Sequence, residues 1–369
     1  MALDWYSIKN IDTLDSPCLV VYPERIRKNI QTLVESIDSV DRLRPHIKTH
    51  KSYEVSKMML EAGITKFKCA TIAEAEMLAS AGVKDILLAY QPVGPKSIRL
   101  ATLVAEFPDI TWSCLVDDVE VAKDLSYVFD EAKQKIAVYI DLNVGMNRTG
   151  IAPADAFGLY DDCKRLSGIS IVGLHAYDGH LRDTDFQTRT RKCDEAFESV
   201  RQLRDQIEST FGKKLVVVAG GTPTFSIHKK RKDVECSPGT YIYWDKGYED
   251  ILKEQNYLHA ALVVSRVIST PAENTICIDL GHKAIASENP IQNRVYFLNA
   301  PELQPIGHSE EHMVFKTVPG IDYKVGDVLY GVPFHVCPTV ALHEIAHTVV
   351  DGVAGEKWRN AARRRKLTI

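Results

Sequence analysis

Residues 335 to 347, HVCPTVALHEIAH, hold two patterns that can bind a metal ion. His335-Val336-Cys337 sets an imidazole and a thiol two residues apart, and on a strand that spacing turns both side chains to one face. His343-Glu344-Ile345-Ala346-His347 has the H-E-x-x-H spelling, which needs a helix to bring both imidazoles onto one zinc ion. Leu342, Ile345, Ala346 and Val349 share a helical face, so periodicity allows that helix. A zinc hydrolase of this kind needs a third ligand, however, and Val350 stands where the longer form of the motif requires glycine. H-E-x-x-H is therefore read as an accident of a strand-connecting segment. A packed cysteine beside a surface histidine would spell H-x-C equally well.

A second group of reactive residues lies earlier. Lys48 sits in Pro45-His46-Ile47-Lys48-Thr49-His50-Lys51, at the end of a strand-like run. If it points inward, burial of its charge is costly and lowers its pKa, which frees the amine as a nucleophile or Schiff-base former. An ordinary rim lysine is the plain alternative. Later strand ends run into Asp141-Leu142-Asn143-Val144-Gly145-Met146-Asn147-Arg148, His175-Ala176-Tyr177-Asp178-Gly179-His180 and Gly220-Gly221-Thr222. The last offers backbone N–H groups and a hydroxyl at a helix start, which suits a phosphate, and Ser237-Pro238-Gly239-Thr240-Tyr241 could add more donors. Gly-Gly-Thr is also plain turn chemistry. A lysine, a phosphate cradle and aromatic rings together suggest pyridoxal phosphate on a barrel, where such residues collect at the C-terminal strand ends.

The elements that must position these residues follow from alternation of short apolar runs with helix-patterned polar stretches. Strands are expected over 17–22, 42–49, 66–71, 85–90, 111–116, 135–143, 169–177 and 215–221, enough for a (β/α)8 TIM barrel. Between them, AEAEMLASAG ends in a glycine suited to stopping a helix. Beyond residue 255 the runs are strand-like without long helices, and Asp351-Gly352 marks a hairpin. The fold class is therefore α/β: a barrel over residues 15–250, with residues 1–14 and 251–369 forming an antiparallel β domain.

Composition limits the partners. With 45% apolar and 25% charged residues the chain can bury a large core, and a net charge of -4 provides no field for nucleic acid or an anionic membrane. Lys229-Lys230-Arg231-Lys232 and Arg363-Arg364-Arg365-Lys366 are read as solvated surface. No apolar run spans a bilayer and the start lacks signal-peptide features, so a cytoplasmic protein is expected. The eight cysteines are scattered, as in reduced, packed thiols.

LDSPCLVV, RPHIKTHK, KFKCATIAEAEML, DLNVGMNRTG, YDGH, GGTPTF, SPGTYIYWD, SEEH and VGDVLYGVPFHVCPTV together resemble the fold-type III pyridoxal-phosphate enzymes of the D-threonine aldolase and D-serine dehydratase family. The resemblance implies that Lys48 carries pyridoxal 5'-phosphate and that Arg148 lies near its ring oxygen. Thr222, Gly239 and Thr240 would hold its phosphate, with Tyr177, Gly221 and Tyr241 also at the cofactor. His335 and Cys337 would bind a divalent metal, zinc or manganese and less readily magnesium, with His180 close by as the candidate base. A small D-amino acid is the implied substrate, and a homodimer the implied assembly. Aldol cleavage to glycine and an aldehyde is the first expectation, since ATIAEAEMLASAGVKDILLAYQPVG and RRRKLTI resemble the aldolase branch. Dehydration of D-serine or D-3-hydroxyaspartate is the alternative, because His-x-Cys resembles the dehydratases and a thiolate favours zinc. A racemase or a non-catalytic cofactor carrier would need no such metal pair.

Overall fold

The computed structural model describes residues 4–369. Two compact units divide the described residues: one comprises 32–48, 56–239 and 364–369, and the other 4–31, 49–55 and 240–363. These bounds differ from the sequence-based ones, and the reason begins with the first strand. β1 (Cys18–Val21) is buried on both faces, as a barrel strand would be, but it pairs within the β unit.

The barrel unit holds a parallel sheet of β2 (Lys66–Cys69), β3 (Asp85–Leu88), β4 (Thr111–Val116), β5 (Ile136–Leu142), β6 (Ile169–Ala176), β7 (Val216–Ala219) and β8 (Val234–Cys236), paired in that order. Burial of both faces explains their near-continuous apolar text. The expected strand over 42–49 is irregular instead. Leu43 bridges Cys236 and His46 bridges Lys68, so this segment closes the barrel between β8 and β2. Pro45 has no N–H to give to a ladder, and only its carbonyl is used, accepting the Lys68 N–H at 2.9 Å. Below it Arg44, 2% exposed, joins Glu235 (Nε to Oε2, 2.7 Å) and Asp85 (Nη1 to Oδ1, 2.5 Å), which pays the cost of burying its charge.

Local signals place the helices. Thr71 caps helix Ile72–Ser80 by accepting the Glu74 N–H at 3.1 Å, and Gly82 follows at φ +92, the stop that the sequence predicts. Asp185 caps the long helix Phe186–Phe211 by accepting the Thr188 N–H at 2.8 Å.

In the β unit, β1 is joined by β9 (Ala261–Ala272), β10 (Thr275–Ile278), β11 (Val295–Phe297), β12 (Gln304–His308), β13 (Met313–Lys316), β14 (Val328–Pro333), β15 (Ile345–Val350) and β16 (Val353–Arg359). All pairs are antiparallel except β1 with β15. Its core gathers Val20, Leu262, Val264 and Val332, each fully buried. Among the described residues no helix is long and apolar enough to cross a membrane, and all eight cysteines are free.

Candidate active site

At the C-terminal ends of the barrel strands lies a cavity of about 620 Å³ whose lining includes Lys48, Lys68, Asp141, Arg148, His175 and Tyr177. Sequence reasoning assigned three of these. Lys48 stands in a single 3-10 turn, Ile47–Thr49, where its N–H donates to His46 Nδ1 at 3.2 Å. Its Nζ is 5.8 Å from the centre of the Tyr177 ring, and the Arg148 guanidinium carbon is 5.0 Å from the same centre.

The Tyr177 ring rests on glycine. A Cβ on Gly221 would fall 2.7 Å from Tyr177 Cε2, so no larger residue fits beneath the ring. Gly220 precedes it at φ +67, and the Thr222 hydroxyl, 5% exposed, accepts the Gly239 N–H at 3.1 Å. The residues expected to form a cradle make a buried glycine turn tied to the strand-eight loop by one hydroxyl, and they are not among the cavity's lining residues. Thr240 and Tyr241 lie in the β unit. Tyr241 is fully buried and packs on Tyr257 with centroids 5.7 Å apart, so its ring serves the core.

Lys68, His175 and Asp141 were not assigned roles from the sequence. Lys68, on β2, is 2% exposed, and its Nζ donates to Ser237 Oγ at 2.5 Å and lies 3.4 Å from His175 Nε2. His175 Nδ1 meets Asp141 Oδ1 at 2.7 Å. A carboxylate only accepts, so Nδ1 carries the ring proton and Nε2 accepts from the lysine. Burial, reinforced by Lys48, pushes the Lys68 amine down to about 7, with Asp141 pulling the other way. Burial and Lys68 also lower His175, against Asp141, while Asp141 is held low by His175 and Thr149 despite burial that would raise it. A signal was present in KFKC: lysines two apart in a strand buried on both faces must each find a partner. Lys66 finds Glu235 at 2.5 Å, and Lys68 finds the cavity.

His180 is exposed and is not among the cavity's lining residues. Its ring packs against the φ +112 loop at Gly145, where a Cβ would sit 3.0 Å from His180 Nε2.

The H-x-C pair occupies a helix start rather than a strand. β14 stops at Pro333, His335 caps helix Val336–Leu342 with φ -136, and Pro338 follows in the first turn, where its missing N–H costs nothing. His335 and Cys337 are hydrogen-bonded to each other, His335 Nδ1 also holds Glu288, and Cys337 Sγ lies 3.1 Å from Thr49 Oγ1. Burial opposes charge on His335, yet Cys337 and Glu288 outweigh it and push its pKa up to about 9. An imidazole and a thiol are donors that suit zinc above magnesium, but among the described residues the three-donor group with ligand atoms within 4.8 Å of one another is a different one. The H-E-x-x-H spelling is broken apart: His343 ends the helix and donates Nε2–H to the Ala284 carbonyl at 2.8 Å, while His347 lies in β15.

Asp178, Cys193 and His228 form a further buried group with ligand atoms within 4.8 Å of one another. Arg231 Nη1 donates to His228 Nδ1 at 2.9 Å, so Nε2 bears the proton given to Asp178 at 2.8 Å. A metal on Nε2 would require a second N–H to face the guanidinium, and the group is better suited to fixing Asp178 beside Tyr177.

A family model described as the alanine racemase N-terminal domain matches residues 21–246, and one described as a putative serine dehydratase domain matches residues 260–349. The chain is 28% identical over 362 residues to a D-threonine aldolase of Arthrobacter sp, covering 95% of this chain and 93% of the relative. It is 26% identical to a 3-hydroxy-D-aspartate aldolase of Paracoccus denitrificans, covering 95% and 92%. The crystal structure of D-threonine aldolase from Filomicrobium marinum superposes with a TM-score of 0.87 at 26% identity, covering 98% of this chain and 99% of that one. With its barrel matched over more than half of its length and its relatives spanning both units, the chain belongs to the alanine racemase N-terminal domain family, in the fold-type III branch of D-threonine aldolases and D-serine dehydratases.

Proposed function

We propose that this protein is a pyridoxal-phosphate- and metal-dependent lyase that cleaves D-β-hydroxy-α-amino acids to glycine and an aldehyde. The observation that carries the reading is the Lys48 amine facing a Tyr177 ring that only Gly221 can seat, at the mouth of a barrel. The cofactor, when bound, supplies the electron sink for a carbanion at the substrate's Cα. Lys48 would hold it covalently, Arg148 and Tyr177 would orient it, and the Gly221–Thr222 turn beside Gly239 would take its phosphate. His335 and Cys337 are the proposed ligands of a divalent ion, which, if bound, would supply Lewis-acid polarisation of a hydroxyl oxygen.

The β-hydroxyl proton must leave as the Cα–Cβ bond breaks, and His180 is the proposed acceptor. Lys68, hydrogen-bonded through His175 to Asp141, is a second store of one proton inside the cavity. Incubation of the loaded enzyme with D-threonine tests the reading: glycine plus acetaldehyde, abolished by chelator, is expected. A 2-oxo acid plus ammonia would replace it with the second reading, a D-serine or D-3-hydroxyaspartate dehydratase. That reading is favoured by the match of residues 260–349 to a putative serine dehydratase domain and by the thiol of Cys337.

A further inference from the structure

Beside the lysine cavity lies a second chamber of about 340 Å³, and the two share Ala70, Thr71, Tyr90 and Arg365 as lining. The chamber's charged lining is entirely cationic: Lys96 and Arg99 from helix Pro95–Glu106, and Arg365 from the last segment of the chain. Asp117 and Asp141 line the first cavity, but no carboxylate lines the second.

The segment that delivers Arg365 is held on the barrel unit by specific contacts. Glu76, 4% exposed on helix Ile72–Ser80, accepts the Thr368 N–H at 2.9 Å and the Ile369 N–H at 3.4 Å. Arg99 Nη2 donates to the main-chain oxygens of Ile369 at 2.6 Å and Arg365 at 3.2 Å. These bonds occupy Glu76 and half of Arg99 and leave the Arg365 side chain for the cavity. Arg99 Nε is buried without a hydrogen-bond partner. The Lys96 ammonium lies 4.3 Å from the centre of the Tyr90 ring, on the wall between the chambers. Lys96 and Arg365 are exposed and Arg99 is half-buried, so an anion entering the chamber meets three cationic side chains and no lining carboxylate, and can make charge-assisted hydrogen bonds to them.

We propose that this chamber is an anion site, which takes a carboxylate or phosphate at the far end of the substrate's β-substituent. The inference rests on the proposed cleavage for its substrate and names the class: D-β-hydroxy-α-amino acids with an extended, acid-terminated side chain. The volume supports extension, since a chamber of about 340 Å³ is itself the size of a small-ligand site and exceeds what a carboxylate directly on Cβ would fill. After cleavage the acid group leaves on the aldehyde, and glycine retains none of it.

The test compares the D forms of β-phenylserine and β-(4-carboxyphenyl)serine, which differ by one acid group at the far end. With the cofactor- and metal-loaded enzyme, a KM about tenfold lower for the acid is expected. Arg365→Gln, and separately Lys96→Gln on the helix, should raise KM for the acid at least five times more than KM for the neutral substrate. Equal effects on both substrates, or no preference in the wild type, would overturn the anion site while the cleavage reading stands. Calorimetric titration of the loaded protein with terephthalate gives a readout independent of turnover. Binding weakened about fivefold or more by either variant supports the site even if neither substrate is cleaved, an outcome that would sink the cleavage reading alone. Terephthalate binding that is absent, or equal in all three proteins, overturns the site.

Discussion

Lys68 Nζ lies 3.4 Å from His175 Nε2, and the other nitrogen of that ring meets Asp141 at 2.7 Å, so a buried amine, an imidazole and a carboxylate form one line into the cavity. The arrangement makes Lys68 a charge whose presence the fold resists. Because the folded chain gives up this proton near 7 while the unfolded chain keeps it to about 10.4, unfolding takes up a proton between those values. Stability due to this group therefore rises with pH across the interval, by about 1.4 kcal/mol per unit, and the cost of its charge is fully present below the interval. Lys68→Met should remove that slope. Urea unfolding at pH 7.5 and 9.5 checks it, and equal pH dependence in both proteins would mean that Lys68 is charged throughout.

Gly221→Ala tests the seat of the Tyr177 ring. The added methyl would sit 2.7 Å from the ring edge, so the ring must move. The expected outcome is a soluble protein of near-native melting temperature with pyridoxal phosphate affinity lowered by about tenfold or more. Unchanged affinity, measured by fluorescence titration, would show that the ring does not support the cofactor.

Metal content discriminates the two histidine patterns. His335→Ala or Cys337→Ala should cut bound zinc or manganese to well under half of the wild-type ratio, measured by plasma emission after dialysis, and leave cofactor absorbance in place. His343→Gln with His347→Gln should keep the metal, since one ring holds a carbonyl and the other lies on a strand. Metal lost from that double variant, or from a Cys193→Ala protein, would move the site.

Much of this was legible. β2 to β7 follow the expected runs because each is an apolar strand between helical patterns, and Arg148 follows β5 into the cavity, while Lys48 reaches the same cavity from the irregular closing segment. β1 misled because its text, CLVV, is as apolar as any barrel strand; only its partners β9 and β15, far along the chain, assign it to the β unit. β8 was hidden by Glu235, a charge that looks like loop until Arg44 and Lys66 neutralise it. Lys68 was missed for the same reason, since a buried charge is announced by its partners and those are distant in sequence. Arg365 was read as solvated surface, and it is exposed, but its place at a cavity mouth follows from contacts of Thr368 and Ile369 with Glu76 that no local pattern encodes.

Arg44 provides a stability test of the barrel's closing segment. Its guanidinium is the shared partner of Glu235 and Asp85, and Arg44 itself belongs to the segment in which Pro45 interrupts the ladder. Arg44→Met would keep much of the side chain's volume but leave Glu235, 8% exposed, with Lys66 alone. Removing one partner of a buried ion pair typically costs about 3 to 5 kcal/mol, far above the effect expected for an exposed pair such as Arg191 with Glu195. Chemical unfolding of Arg44→Met and Arg191→Met side by side should therefore show a loss of roughly 3 kcal/mol or more for the first and under about 1 kcal/mol for the second. Similar losses in both would mean that the closing segment is held by its backbone bridges and apolar contacts, with the charged network contributing little.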